Sequence, residues 1–211
     1  MKRPASWCLF IAAWLVTASA LAQTALRAGD FVRLDPPQPV ATGSAIEGIE
    51  FFYYGCPICY ELQPQMSRWL VQAPNYIALR RIPAKASETW EIFAKLYFSL
   101  EALGEIQRLH WPVYDNFHFD GVRLNDEKVM LDWVTRNGIT RERFLETYNS
   151  PDVQAKVDLA AEMMKRYDVR GVPTIVVDGK YLSSARLAGG TRQLMQVVDK
   201  LVQQARAERP Q

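Results

Sequence analysis

Cys56 and Cys59 stand with only Pro57 and Ile58 between them, in the stretch FFYYGCPICYELQP. Two cysteines at this spacing can exchange a disulfide with another molecule, form half of a metal site, or staple the chain. A structural disulfide stabilises mainly by closing a long loop, and this loop is almost as short as possible, so a staple is a poor explanation. A structural zinc site needs about four ligands. Past the N-terminal segment the further good donors are His110 and His118. Both lie in an aromatic-rich segment, where a half-exposed packing role accounts for them, and no metal is expected. Redox chemistry is what is left.

That chemistry needs an asymmetric pair, and the residues around it supply one. Ile46 to Tyr54 reads as a buried strand, β-branched and aromatic with one late charge at Glu50. Gly55 breaks it. A helix begins at Cys56, with Pro57 in the first turn, where a missing N–H costs nothing. Cys56 then sits at a helix N-terminus, where unpaired N–H groups and the macrodipole favour a thiolate. Cys59, a turn further in, is more buried and acts second. A substrate thiolate attacks the disulfide at Cys56, and a second substrate thiol resolves the mixed disulfide.

The compartment follows from the first residues. Met1-Lys2-Arg3 is basic, Trp7 to Val16 is almost wholly apolar, and small residues end the segment at Ala20 and Ala22. This reads as a secretory signal over residues 1–22, cut after Ala22 or alternatively after Ala20. An uncleaved anchor is the rival, although a spanning helix needs about 20 apolar residues. Cys8 leaves with the signal, which puts Cys56 and Cys59 alone in an oxidising compartment. The whole chain carries 25 Lys+Arg against 23 Asp+Glu. That near-neutral balance gives no sign of a nucleic-acid or anionic-membrane surface.

The other elements frame the pair. Leu62, Met66, Trp69 and Leu70 continue the first helix, with Pro64 expected to kink it, and Tyr76 to Ile82 is a second strand. Ser87 caps a helix with Trp90, Phe93, Leu96, Tyr97 and Leu100 on its apolar face. Helices follow at 105–117, 126–137 and 141–148, and Ser150-Pro151 starts another that runs to Tyr167. The segment GVPTIVVDGKYL reads as a hairpin turning at Asp178-Gly179. A closing helix after Gly189-Gly190 carries Leu194, Val197, Val198, Leu201 and Val202. This order suggests a mixed sheet covered by helices.

EFFYYGCPICY, RGVPTIVVDGKY and the helical insertion together make the chain resemble the DsbA family of periplasmic thiol:disulfide oxidoreductases, from about Gly29 to Gln204. The resemblance implies an α/β, thioredoxin-like fold over 23–84 and 162–207, interrupted by an inserted helical domain over 85–161. It implies disulfide donation to reduced exported proteins, with no cofactor beyond the cysteine pair. It also implies reoxidation by a DsbB-like quinone reductase of the inner membrane; a monomer is expected. Pro173 matches the family's cis proline beside the active disulfide, where the Val172 backbone pairs with a substrate chain as an added strand. Glu50 matches a buried acid beneath the site. Burial would require a partner, Arg80 or Arg81, because an unpaired buried carboxylate is too costly.

The chain departs from the family at Ile58, where histidine is usual. An isobutyl-like side chain cannot stabilise a thiolate as an imidazole can. Cys56 should therefore have a pKa below that of free cysteine but above the value of about 3.5 found in DsbA itself. The disulfide should be a correspondingly milder oxidant. Two rivals stay open: a reductase or isomerase in the same compartment, and a non-enzymatic peptide-binding chaperone.

Overall fold

The computed structural model describes residues 26–209. The segment expected to be a signal, residues 1–22, and Cys8 within it lie outside the described residues. Strand β1 (Val32–Arg33) is followed by β2 (Ile46–Phe52), which is buried along its whole length. β3 (Ile77–Pro83) pairs with β2 in parallel, setting Glu50 opposite Arg81. β4 (Thr174–Val177) runs antiparallel to β2 on its other side and turns into β5 (Tyr181–Ser184). Asp178 and Gly179 have φ of 54° and 62°, the left-handed pair that a two-residue hairpin requires. The mixed sheet has the order β1-β5-β4-β2-β3.

Two details of the strands differ from the sequence expectation. β1 is only two residues long, too short to carry a periodic signal, yet it extends the sheet along β5. β2 stops at Phe52 rather than Tyr54 because the chain turns there, with the Cys56 N–H donating to the Tyr53 carbonyl at 3.0 Å. The Tyr53 ring folds over that turn. A Cβ at Gly55 would fall 2.6 Å from it, so glycine lets the ring lie there.

Helix α1 (Pro57–Gln72) runs on through Pro64 and buries Cys59, Leu62, Gln63 and Met66 as one stripe. Between β3 and β4 come α2 (Glu88–Ala102), α3 (Ile106–His118), α4 (Glu127–Arg136), α5 (Arg141–Tyr148) and α6 (Pro151–Arg166). Ser150 caps α6 as its Ser-Pro start predicts, accepting the Val153 N–H at 3.2 Å. Ser87 precedes α2 without a capping bond, and Glu88 and Glu91 face the helix dipole instead. The chain closes with the short α7 (Ala185–Ala188) and α8 (Thr191–Glu208).

Two apolar clusters hold these layers. Ile46, Ile175, Val177 and Tyr181 pack under α1 and α8 through Leu62, Met66, Leu194 and Leu201. Ile49, Phe51 and Phe52 pack with Phe93, Leu96 and Tyr97 of α2, Val113 and Tyr114 of α3, and Val157 of α6. The α1 N-terminus, with the cysteine pair, is thereby clamped between the sheet and α3. Among the described residues no helix is long and apolar enough to cross a membrane.

Candidate active site

Cys56 is the N-cap of α1, in extended backbone conformation, and its Sγ accepts the Cys59 N–H at 3.1 Å. The sulfur thus does what a capping Ser or Asp oxygen does, satisfying a donor that the helix start leaves free. Pro57 is the first helical residue and has no N–H to satisfy. Both cysteines are free thiols; Cys56 is partly exposed and Cys59 fully buried.

This asymmetry splits their acidities. The Cys59 thiol, hydrogen-bonded to the Cys56 sulfur, does most to bring Cys56 down to about 7; burial opposes it, and the Cys59 and Ile58 N–H groups add to the lowering. Cys59 moves the other way, raised far above the ordinary thiol range chiefly by burial and then by the Cys56 sulfur beside it. One thiolate forms near neutral pH, and it is the accessible one.

The Val172–Pro173 peptide is cis, as is Asp35–Pro36, which the sequence did not suggest. The Cys56 Sγ lies 3.7 Å from the Val172 carbonyl oxygen, so residues 116 positions apart meet across the site. Beyond Val172 a groove of about 390 Å³ opens between the 167–174 loop, β1, β5 and α7. Ile58, on the outer side of the helix start, is 44% exposed. It presents an aliphatic surface to solvent where an imidazole would present a donor.

Beneath the pair, Glu50 is fully buried. Arg81 donates from Nε to its Oε2 at 3.0 Å, and the Gln63 amide donates to its Oε1 at 2.8 Å. Gln63 also reaches the Cys59 carbonyl at 3.5 Å, which ties the carboxylate to the cysteine helix. Of the two arginines that the sequence offered, Arg81 is the partner of Glu50. Arg80 pairs instead with the buried Glu47, at 3.3 Å. Sequence reasoning missed Gln63, although a signal was present. Cys59, Leu62, Gln63 and Met66 repeat at helical spacing, and a polar residue in a buried stripe needs a polar partner.

Helix α3 contributes more of the site, and the half-exposed packing role expected for His118 is what the structure shows. His118 donates from Nε2 to the Tyr54 carbonyl at 2.7 Å, and its ring stacks on Tyr60. Tyr60 stacks in turn on Trp111 and donates to Asp115 at 2.8 Å. On the other flank Tyr53 stacks flat on Trp90, with ring centroids 4.1 Å apart. The half-exposed role expected for His110 is wrong. It is buried among Phe52, Tyr54, Tyr97 and Tyr114, with Nδ1 2.8 Å from the Tyr54 hydroxyl. The apolar face of α3 turns it into the core. Among the described residues no group of three or more His, Cys, Asp and Glu side chains could hold a metal ion.

Comparison with known proteins places this arrangement. The family model for the DSBA-like thioredoxin domain matches residues 77–202. The thiol:disulfide interchange protein DsbA of Pseudomonas syringae pv. tomato is 36% identical over 198 residues, covering 93% of this chain and 92% of that protein. Its counterpart from Azotobacter vinelandii is 35% identical over 177 residues, covering 84% of this chain and 83% of that protein. Among solved structures, Pseudomonas aeruginosa DsbA matches with a TM-score of 0.79 at 32% identity, covering 85% of this chain and 93% of that chain. The DsbA oxidoreductase of Xylella fastidiosa matches with a TM-score of 0.78 at 25% identity, covering 84% and 96%.

Proposed function

The chain belongs to the DsbA family of thiol:disulfide interchange proteins, and from that premise we propose that Cys56 and Cys59 are its catalytic pair and donate disulfides to reduced exported proteins in the periplasm. It is a thiol:disulfide oxidoreductase with a thioredoxin-like fold. The observation that carries the assignment of roles is the capping bond from the Cys59 N–H to the Cys56 sulfur, with Cys56 accessible and Cys59 buried.

The electron flow follows from that geometry. A substrate thiolate attacks Cys56 Sγ of the oxidised pair. The Cys56–Cys59 bond breaks, and the Cys59 sulfur leaves and takes up a proton. A second substrate thiolate then attacks the substrate sulfur of the mixed disulfide and expels the Cys56 thiolate. The substrate loses two electrons and the pair gains them. The cap and the helix-end N–H groups stabilise the expelled thiolate, which drives the second step.

Pro57 and Ile58 shape the pair, Glu50 supports it from below, and Val172 and Pro173 hold the substrate backbone in this reading. The thioredoxin-like part spans 23–84 and 162–207 and the inserted helical part 85–161, with α6 continuous across the second boundary. A DsbB-like quinone reductase of the inner membrane reoxidises the pair, export uses the signal over residues 1–22, and the protein works as a monomer. No metal or organic cofactor takes part.

A second reading has its own observation. Cys56 at about 7 matches the thiolate of thioredoxin, about 7, rather than that of DsbA, about 3.5. That favours a milder oxidant, which could act as an isomerase or reductase. The test is to mix the oxidised protein with a reduced, unfolded substrate and count disulfides with time. An oxidase forms them stoichiometrically, an isomerase only rearranges scrambled ones, and a chaperone does neither. Equilibration with glutathione then places the couple between about −270 mV for thioredoxin and −120 mV for DsbA.

A further inference from the structure

The groove that begins at Val172 has an apolar lining, including Leu34, Leu182 and Leu187, and three charged side chains: Asp168, Arg170 and Arg186. Two of these neutralise each other. Arg170 donates from Nε to Asp168 at 2.9 Å, and its Nη2 lies 2.7 Å from the same carboxylate oxygen. Arg186, exposed on α7, makes no ion pair or hydrogen bond among the described residues. The groove therefore presents one uncompensated positive charge beside an apolar lining.

We propose that this groove selects substrate segments that carry an acidic residue within a few positions of the reacting cysteine, with Arg186 as its partner. The inference rests on the reading that Val172 receives the substrate backbone. The placement comes from the sheet. The Ala185 N–H donates to the Pro173 carbonyl at 3.4 Å, so α7 starts beside the 172–173 peptide. Arg186, the next residue, lines the same groove as Val172 and Pro173, which puts it within reach of side chains flanking the cysteine of an added substrate strand. A carboxylate there meets a guanidinium that has no internal competitor. A lysine there meets repulsion, and the adjacent apolar lining accepts the intervening side chain.

The experiment uses three reduced two-cysteine peptides, identical except that the positions two and three residues on either side of the first cysteine are all Glu, all Gln or all Lys. Their oxidation is followed as kcat/KM with the wild-type protein, Arg186→Gln and Arg186→Glu, at low and at high salt. The wild type should prefer Glu over Gln by roughly two- to five-fold, the range of an exposed ion pair, and should disfavour Lys by a similar factor. Arg186→Gln should level the three and Arg186→Glu should reverse the order. About 1 M salt, with a Debye length of about 3 Å, should abolish the differences. Equal rates for the three peptides in the wild type, or an order untouched by Arg186→Glu, would overturn the inference while leaving the oxidase reading intact. Failure to oxidise any of the peptides would overturn both.

Discussion

Lowering the pH from 7 to 5 should cost this protein about 2 kcal/mol of stability through His110 alone. The ring is buried and its Nε2 has no hydrogen-bond partner. Burial, and secondarily the positive charge of Arg81, lower its pKa to about 3, against about 6.5 in an unfolded chain. Above pH 6.5 the imidazole is neutral in both states and contributes no pH dependence. Between 6.5 and 3 the unfolded chain binds a proton that the folded chain refuses, so stability falls as pH falls, by up to about 1.4 kcal/mol per unit. The loss reaches about 2 kcal/mol at pH 5 and approaches 5 kcal/mol near pH 3, below which the folded state protonates too. Urea unfolding of the reduced protein at pH 7, 6 and 5, beside His110→Gln, isolates this contribution. The lost contact with Tyr54 shifts the variant by a constant amount, and the carboxylates titrate alike in both proteins. The wild type should lose about 2 kcal/mol more than the variant between pH 7 and 5. Parallel curves would refute the reasoning and mean that His110 is protonated, or exposed, in the folded protein.

Other consequences can be measured separately. Alkylation of the reduced protein should label Cys56 with a midpoint at about pH 7 and leave Cys59 unlabelled. Cys59→Ser should accumulate mixed disulfides through Cys56, and equal labelling of the two thiols would defeat the assignment. Ile58→His, at an exposed position that an imidazole can occupy without displacing core atoms, should lower the Cys56 pKa. It should also raise the reduction potential by about 30 mV for each 1.4 kcal/mol gained by the thiolate; thiolate absorbance and glutathione equilibration check it, and no change in either means that another group governs Cys56. Arg81→Met strands the buried Glu50 carboxylate and should destabilise the fold by about 3–5 kcal/mol at neutral pH. Adding Glu50→Gln should recover most of that in a denaturant titration, whereas additive losses would show that the two side chains are not coupled.

The sequence by itself determined what is local in this protein. The chemistry of Cys56 and Cys59 is legible because one turn of helix, begun by a proline, makes one sulfur a cap and buries the other. The helices show through their apolar spacing, and the β4–β5 hairpin through an Asp-Gly pair whose left-handed backbone few other dipeptides accept. Periodicity states which face of an element is apolar, but not which neighbour that face will meet. Arg80 and Arg81 are adjacent in the sequence and equally plausible as partners for Glu50. Only the parallel register of β2 and β3 sets Arg81 opposite Glu50 and turns Arg80 to the other face. His110 reads as a half-exposed residue in an aromatic segment until α3 docks beside β2 and closes Phe52, Tyr54, Tyr97 and Tyr114 around it. The meeting of Cys56 with Val172, and the groove that ends at Arg186, likewise depend on chain segments more than a hundred residues apart. Strand order and helix docking settle such contacts by minimising buried polar and exposed apolar surface over the whole molecule at once, and no window of the sequence contains that sum.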